Sequence, residues 1–302
     1  MEKALVWVGP GMRALIEGAP EGLEIEEIPT EPEADPRLSE VRYVVLGAGR
    51  PPLAEWFSKM TSLEVIQTTS AGVDNVAAQI PPGVKLCSAR GSYAVVAEWV
   101  VGAILAEYKA FPFFRDEQRA GRWSKREARR LIGEKVLLLG YGGIAESVEE
   151  RLAPFGTEFL RVARTARPGV QTLAELPGLL PEADVIVLLV PLTGETEGLV
   201  DRDFLAKVKP GALLVNAARG KVVDTDALIE ALEAERIAAV LDVTDPEPLP
   251  DGHRLFSTPN VFITPHVAGG PLARPEVLAF IREQLGRFAR REELANVVTD
   301  GY

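Results

Sequence analysis

The sequence predicts an α/β protein with two doubly wound parallel-sheet domains. Short apolar runs alternate with helix-length amphipathic stretches along the whole chain, which is typical of βαβ units that build a helix-covered parallel sheet. After residue 134, six such runs follow one another, a number that fits one doubly wound domain. The length of 302 residues suggests about two domains.

The first part of the chain contains four runs that we interpret as strands, because they are apolar and bounded by turn-forming residues. They are residues 4–8, 23–28, 43–46 and 64–68, the second lying within a surface loop over 17–36. A long apolar helix is predicted over 92–111, ending before Pro112 and buried on more than one side. The basic stretch 125–130 is interpreted as a solvated helix face.

The second series of strands opens after this basic stretch. Its predicted members are residues 135–139, 158–162, 185–190, 212–216, 239–242 and 261–264. A last helix over 274–290 follows the series and could return to the first domain.

Composition excludes several functional classes. The formal net charge of -11 argues against nucleic acid as a partner, because an acidic surface repels polyanions. The chain has a single cysteine, Cys87, so no disulfide can form within it, which favours a reducing compartment. We interpret Cys87 as an inert buried thiol. No run approaches the ~18 apolar residues of a bilayer span. We therefore expect a soluble cytoplasmic protein without a membrane partner, and we identify no metal ligands.

A glycine-rich turn follows the predicted strand 135–139 and opens a helix, which is the context that gives such a motif meaning. It reads Gly-Tyr-Gly-Gly-Ile-Ala over residues 140–145. Gly140 permits the tight turn, Gly142 lets a pyrophosphate approach the backbone, and Ala145 meets the need for a small residue against the strand. The free N–H groups of the helix would bind the phosphates.

The end of the next strand bears on the choice between NAD and NADP. An acidic residue there binds the ribose hydroxyls of NAD, whereas an arginine accommodates the 2′-phosphate of NADP. Ala163 occupies the expected acidic position, and Arg164, Thr165 and Arg167 follow it. Since a guanidinium matches a phosphate well, we predict a preference for NADP, with NAD as the open alternative.

Further motifs follow in order along the chain and identify a resemblance. They lie at residues 70–76, 96–98, 190–196, 209–220, 241–249, 264–270 and 296–298. With them the chain resembles the D-isomer-specific 2-hydroxyacid dehydrogenases, the family of phosphoglycerate dehydrogenase and glyoxylate/hydroxypyruvate reductase.

The resemblance implies two Rossmann-like domains with a cleft between them and a homodimer built largely on the cofactor domains. The substrate-binding domain would be flavodoxin-like and comprise residues 1–98 and 269–302. The dinucleotide-binding domain would comprise residues 99–268.

Three residues would carry the reaction that the resemblance implies. His266 resembles the general acid/base, Glu247 its carboxylate partner, and Arg219 the cation that holds the substrate. Reduction of a 2-keto acid adds a hydride to C2 and a proton to the carbonyl oxygen. Histidine suits the proton transfer because it titrates near neutrality, and a guanidinium can grip a carboxylate at two points. The other histidine, His253, lies in a turn and reads as a surface residue.

Cofactor contacts carried over from the family fall into three groups. Gly142, Gly143 and Ile144 would lie at the pyrophosphate. Three residues, Val190, Pro191 and Thr196, would lie along the ribose and phosphates. Three more, Ala217, Ala218 and Asp242, would flank the nicotinamide.

Substrate contacts would come from the backbone of Gly72 and Val73 and from Arg50. The chain departs from the family at Gly143, where Arg or Asn is common, at Ala163, and at 269–273, which lacks the usual Ser or Thr.

These features predict an NADP-preferring reductase of small 2-keto acids, of the glyoxylate/hydroxypyruvate type, yielding D-hydroxy acids. An NAD-dependent phosphoglycerate dehydrogenase is the alternative within the class. A dinucleotide-sensing corepressor is the alternative from another class, although no added tail or basic region suits that role.

Overall fold

The computed structural model describes residues 3–16, 18, 20–47, 53–70, 72–89, 93–269 and 275–298. The chain forms two compact units, one of Met1–Ser92 with Gly269–Tyr302 and the other of Tyr93–Ala268. The boundary between the two units lies at the start of a long helix, Tyr93–Tyr108. The domain boundary predicted from the sequence, after residue 98, lies inside that helix.

Eleven strands are defined within the described residues. They are β1 (Ala4–Val8), β2 (Leu23–Glu27), β3 (Val41–Leu46), β4 (Val65–Thr68), β5 (Lys85–Cys87), β6 (Lys135–Leu139), β7 (Glu158–Val162), β8 (Val185–Leu188), β9 (Leu213–Asn216), β10 (Ala238–Leu241) and β11 (Val261–Ile263). The α-helices described are α1 (Leu53–Phe57), α2 (Asp74–Ala77), α3 (Tyr93–Tyr108), α4 (Phe111–Arg119), α5 (Gly143–Leu152), α6 (Leu176–Leu179), α7 (Arg202–Lys207), α8 (Thr225–Glu233) and α9 (Pro275–Ala289).

The first unit is built on a parallel sheet with the strand order β2-β1-β3-β4-β5. This is the flavodoxin-like order 2-1-3-4-5. Alternate residues of β1 enter different cores, since neighbouring side chains in a strand point to opposite faces. Val6 and Val8 pack with Ile281 of α9, whereas Leu5 and Trp7 pack on the other face. The last helix therefore belongs to the core of the first unit.

The second unit carries a parallel sheet with the strand order β11-β10-β9-β8-β6-β7. Val162 also forms a parallel bridge with Gln171, outside β7. Counting that bridge as a rudimentary third strand, the order begins 3-2-1-4-5-6, as in dinucleotide-binding sheets. The strand order reverses between β6 and β8, and α/β sheets bind their ligands at such a switch point.

Helices cover both faces of this second sheet. Val136 and Leu138 of β6 pack in a core with α3 and α5, whereas Leu137 and Leu139 pack in the opposite core with α7 and α8. Burial on both faces explains why these strands read as continuous apolar runs. The sequence prediction of parallel-sheet α/β domains is confirmed.

One local prediction was wrong, one boundary differs, and a short strand was missed. The long helix ends before Pro112 as predicted, but already at Tyr108, and Pro112 lies in the first turn of α4, where its missing N–H removes no helical hydrogen bond. The basic stretch 125–130 is not a helix face but lies outside the helices and strands. Arg129 fastens it by donating from Nη1 to the Gly211 carbonyl oxygen at 2.9 Å. Strand β5 was not predicted.

Cys87 ends β5 and is fully buried. Burial raises the pKa of its thiol to about 11, in keeping with the prediction of an inert cysteine. Across the described part of the chain, no helix is both long and apolar enough to cross a membrane.

Candidate active site

The residues predicted to bind the cofactor and to react with substrate follow successive strands of the second sheet. Gly140 follows β6, Ala163 follows β7, and Val190 comes shortly after β8. Ala217 follows β9, and Asp242 follows β10. Because the strands are parallel, their carboxyl ends share one edge of the sheet, which is where α/β proteins bind ligands.

The glycine-rich turn brings main-chain atoms unusually close together. Gly140 has a φ of +104°, and a Cβ on it would lie 2.6 Å from the carbonyl carbon of Leu189. Gly142 is the N-cap of α5, and no side chain caps the helix there. The first N–H groups of a helix have no partner within the helix, so this bare turn fits a pyrophosphate.

Tyr141, inside the glycine-rich turn, links it to the segment after β7. Arg167 donates from Nη2 to the Tyr141 carbonyl oxygen at 2.7 Å, and its guanidinium lies 5.3 Å from the centre of the Tyr141 ring. Arg161 is occupied differently, because it forms a two-point ion pair with Glu149 at 2.7 and 2.6 Å. The Arg161 guanidinium is thus already committed to a carboxylate.

The segment after β7 is open to solvent. Arg164, Thr165 and Arg167 are exposed, and Ala163 supplies no carboxylate. Two arginines and no carboxylate therefore follow the strand end where a 2′-substituent of a bound dinucleotide is expected.

The loop after β8 is held by one hydroxyl. Thr196 is 6% exposed, and its Oγ1 donates to the Pro191 carbonyl oxygen at 2.5 Å while accepting from the Thr193 N–H at 2.8 Å. Val190 is also buried, whereas Pro191 is exposed. Thr196 shapes this loop from within.

A buried asparagine builds the turn that carries Arg219. Asn216 ends β9, accepts a hydrogen bond from the Ala218 N–H at 3.0 Å and donates to the Arg219 carbonyl oxygen at 3.1 Å. Arg219 itself is half-buried, with Nη1 donating to the Ala218 carbonyl oxygen at 2.7 Å.

Gly220 joins this turn to the loop that carries Glu247. A Cβ at Gly220 would stand 1.9 Å from the carbonyl oxygen of Thr244, so only glycine permits the approach. Thr225 also holds the second loop, through a hydrogen bond from Oγ1 to the Asp245 carbonyl oxygen at 2.8 Å.

His266 and Glu247 form the central pair of the site. Nδ1 of His266 lies 2.6 Å from Oε1 of Glu247, and the side chains are 49% and 39% exposed. The carboxylate fixes the ring and leaves Nε2 as the ring nitrogen available to a substrate. Such a pair can move a proton at Nε2 while Glu247 stabilises the charged imidazolium.

Asp242 holds the backbone on both sides of this histidine. Its carboxylate is 3% exposed and accepts hydrogen bonds from Thr264 Oγ1 at 2.6 Å, Val267 N at 2.8 Å and Ala268 N at 2.9 Å. Its carbonyl oxygen accepts the His266 N–H at 2.7 Å. His266 has a φ of +53°, a left-handed conformation that is costly for a residue with a Cβ.

The predicted substrate-binding residues belong to the first unit. Gly72 and Val73 lie between β4 and α2, where Ser70 donates from Oγ to the Gly72 carbonyl oxygen at 2.7 Å. Val73 is 1% exposed. Arg50 lies outside the described residues.

Two residues predicted to react, His266 and Glu247, are in contact in the structure, and several features that support them were not predicted. The structure brings His266 and Glu247 together, and it packs the turn after Arg219 against the Glu247 loop. The missed features are the clamp formed by Asp242, the close contact at Gly220, and the aromatic ring of Tyr93 against Gly143. The sequence shows a glycine directly after Arg219, but nothing in it indicates that this position, Gly220, contacts the Thr244 carbonyl oxygen.

Comparisons with known proteins agree with this arrangement. Residues 101–268 match the model of the D-isomer specific 2-hydroxyacid dehydrogenase family, NAD binding domain. Human glyoxylate reductase/hydroxypyruvate reductase is 36% identical over 224 residues, 68% of this chain and 67% of that protein. D-3-phosphoglycerate dehydrogenase of Methanocaldococcus jannaschii is 31% identical over 284 residues, 89% of this chain and 54% of that protein.

A crystal structure from Xanthobacter autotrophicus is similar over nearly the whole chain. It is a D-isomer specific 2-hydroxyacid dehydrogenase in complex with NADPH and MES. The TM-score is 0.87 at 31% identity, with 99% of this chain and 98% of that chain covered.

The chain belongs to the D-isomer specific 2-hydroxyacid dehydrogenases. It is therefore an oxidoreductase that uses a nicotinamide dinucleotide, and the family predicted from its motifs is confirmed.

Proposed function

We propose that this enzyme reduces small 2-keto acids of the glyoxylate and hydroxypyruvate type to D-2-hydroxy acids, with NADPH as the preferred reductant. The 2.6 Å contact between His266 and Glu247 carries the proposal, because carbonyl reduction needs a proton donor at the substrate oxygen. The human relative named glyoxylate reductase/hydroxypyruvate reductase supports the substrate class.

In the proposed reaction the reduced nicotinamide, when bound, supplies the hydride for C2 of the keto acid. His266 gives a proton from Nε2 to the carbonyl oxygen as negative charge develops on it. Glu247, in contact with Nδ1, orients the imidazole so that Nε2 is the nitrogen offered to the substrate. Together they avoid an unprotonated alkoxide, which is the costly species in this reduction.

Arg219 would bind the substrate carboxylate and polarise its carbonyl. A guanidinium can do both, because its donors lie in one plane in a fixed fork. We also propose the main chain of Gly72 and Val73, and Arg50, as substrate-binding groups. In this proposal residues 93–268 bind the dinucleotide.

The second unit has the features that a dinucleotide requires. The N-terminus of α5 is uncapped by any side chain, and Gly140 lets the turn lie against the backbone after β8. In the proposal Gly142, Gly143 and Ile144 hold the pyrophosphate. The loop of Val190, Pro191 and Thr196 lines the ribose, and Ala217, Ala218 and Asp242 lie toward the nicotinamide.

The preference for NADP is supported by charge at the end of β7. Arg164 and Arg167 are exposed there beside Thr165, and Ala163 cannot accept hydrogen bonds from ribose hydroxyls. The similar Xanthobacter structure contains NADPH. Replacing Arg164 by alanine should raise KM for NADPH at least tenfold and leave KM for NADH within about twofold, since only a 2′-phosphate needs this cation. Arg167 is left unchanged in this test because it also holds the Tyr141 carbonyl oxygen in the glycine-rich turn.

Steady-state assays test the proposed reaction. Glyoxylate, hydroxypyruvate, pyruvate and phosphohydroxypyruvate are each assayed with NADPH and NADH. We expect the first two with NADPH to give the highest kcat/KM. His266→Asn should lower kcat about 10²- to 10⁴-fold. His253→Asn is the matched control, because asparagine can still cap the turn that His253 begins. Full activity in His266→Asn would refute the mechanism.

NAD-dependent phosphoglycerate dehydrogenase is the second candidate. It is favoured by the similarity to the Methanocaldococcus enzyme, which extends over 89% of this chain. A kcat/KM for phosphohydroxypyruvate with NADH above that for glyoxylate with NADPH would select it.

We also propose a cytoplasmic homodimer. One buried cysteine fits a reducing compartment. Helix α4 has no buried residue, and its first residue, Phe111, is 59% exposed. Trp123, shortly after this helix, is 97% exposed. A second copy of the chain would cover this surface. Light scattering after size exclusion should give a dimer mass, and Trp123→Glu should give a monomer. A wild-type monomer would refute the proposal.

A further inference from the structure

Tyr93, the first residue of α3, lies against Gly143, the first residue of α5. A Cβ on Gly143 would stand 2.4 Å from Cε2 and 2.7 Å from Cδ2 of the Tyr93 ring. The same Cβ would lie 3.2 Å from Cζ, the carbon that carries the phenol hydroxyl. The ring therefore fills the space that any side chain at position 143 would need, and the two positions are sterically coupled.

The first turn of α5 carries no side chain that can donate a hydrogen bond to a phosphate. Residues 142–146 read Gly-Gly-Ile-Ala-Glu, and the only charge among them is negative. The preceding tyrosine, Tyr141, directs its hydroxyl to Glu149. A ligand at this turn meets main-chain N–H groups, so a side-chain donor must come from a neighbouring element.

Tyr93 is placed to supply that donor. Its side chain is half-buried, and its hydroxyl forms no hydrogen bond with the residues that the structure describes. The carbon bearing the hydroxyl lies over the same turn as the unpaired N–H groups of α5. Several donors converging on one place form an environment that favours an anion.

We propose that Tyr93 is a cofactor-binding residue whose hydroxyl donates a hydrogen bond to a pyrophosphate oxygen held at the N-terminus of α5. Its ring covers Gly143 and replaces any side chain at that position. This inference rests on the proposed dinucleotide function and adds a residue from α3 to the pyrophosphate site.

Binding titrations with the full chain test the hydroxyl separately from catalysis. Wild type and Tyr93→Phe are titrated calorimetrically with NADPH, ADP-ribose and 2′-AMP, of which only the first two contain a pyrophosphate. Loss of a hydrogen bond to a charged oxygen should weaken binding of NADPH and ADP-ribose about 5- to 20-fold. Binding of 2′-AMP should stay within twofold.

Unchanged Kd values for NADPH and ADP-ribose in Tyr93→Phe would overturn the inference. An equal loss for 2′-AMP would also overturn it, because the effect would then not reside at the pyrophosphate. If the wild type itself binds neither NADPH nor ADP-ribose, the proposed function fails. If the wild type binds both and Tyr93→Phe binds them equally well, only the role of Tyr93 fails.

A double-mutant cycle tests the coupling of the two positions. Gly143→Ala should weaken NADPH binding at least tenfold in the wild-type background, because its Cβ displaces the ring. In a Tyr93→Ala background the same change should cost less than threefold. Gly102→Ala is the control, since a Cβ at this α3 position meets nothing within 4 Å. Equal effects of Gly143→Ala in both backgrounds would contradict the coupling.

Discussion

Asp242→Asn tests whether the buried carboxylate positions His266. The carboxylate accepts three hydrogen bonds, one from Thr264 and two from the main chain of Val267 and Ala268. An asparagine keeps one acceptor oxygen, and its amide nitrogen must face a donor. With Oδ1 retained toward Thr264 and Val267, the Ala268 N–H faces another N–H group and loses its partner.

The expected cost follows from these contacts. A hydrogen bond to a charged group contributes about 1.5–3 kcal/mol, and an unsatisfied buried donor costs about 1–3 kcal/mol. Because the two costs overlap, we expect about 3 kcal/mol of destabilisation in the second unit. For a domain of this size that corresponds to roughly 6–12 °C in Tm.

Calorimetry and steady-state kinetics give the two readouts for Asp242→Asn. We expect the Tm to fall as stated and kcat to fall at least tenfold, because His266 lies between the residues that Asp242 holds. Asp251→Asn, in an exposed turn, is the matched control and should change neither. A Tm within 2 °C of wild type together with an unchanged kcat would refute the positioning role.

Two further predictions concern packing and the buried thiol. Gly220→Ala should lower the free energy of unfolding by about 1–3 kcal/mol and should lower kcat, because its Cβ would displace the Thr244 carbonyl and with it the Glu247 loop. Gly194→Ala is the control, since a Cβ there meets nothing within 4 Å. Equal denaturation midpoints for the two variants would contradict the prediction. Cys87 should resist thiol reagents at pH 8 until the protein unfolds, since burial raises its pKa to about 11. Because that pKa is raised in the folded state, this group should lower stability as pH rises above about 9, and rapid labelling of the native protein would contradict its burial.

Much of the fold could be predicted because both sheets are buried on two faces. Runs such as 4–8, 135–139 and 158–162 match β1, β6 and β7 residue for residue, since an apolar run between turn residues has few alternatives inside an α/β domain. Strand β5 was not predicted, because it has only three residues and begins with an exposed lysine. The irregular path of residues 125–130 depends on the distant acceptor of Arg129, the Gly211 carbonyl oxygen, which local sequence does not reveal.

Parts of the candidate site could also be predicted from the sequence, and other parts could not. His266 and Glu247 could be predicted because their chemistry restricts the residue type and their motifs are specific. The clamp at Asp242 could not, because its donors are mostly main-chain N–H groups that every residue carries. The contact of Tyr93 with Gly143 joins positions 50 residues apart on two helices, and no local pattern marks it.

A double-mutant cycle on kcat for glyoxylate reduction with NADPH tests whether Glu247 acts through His266. We expect Glu247→Gln to lower kcat strongly in the wild type and very little in the His266→Asn background, because the carboxylate acts only through the imidazole. Losses that simply add would contradict it, since each residue would then act alone.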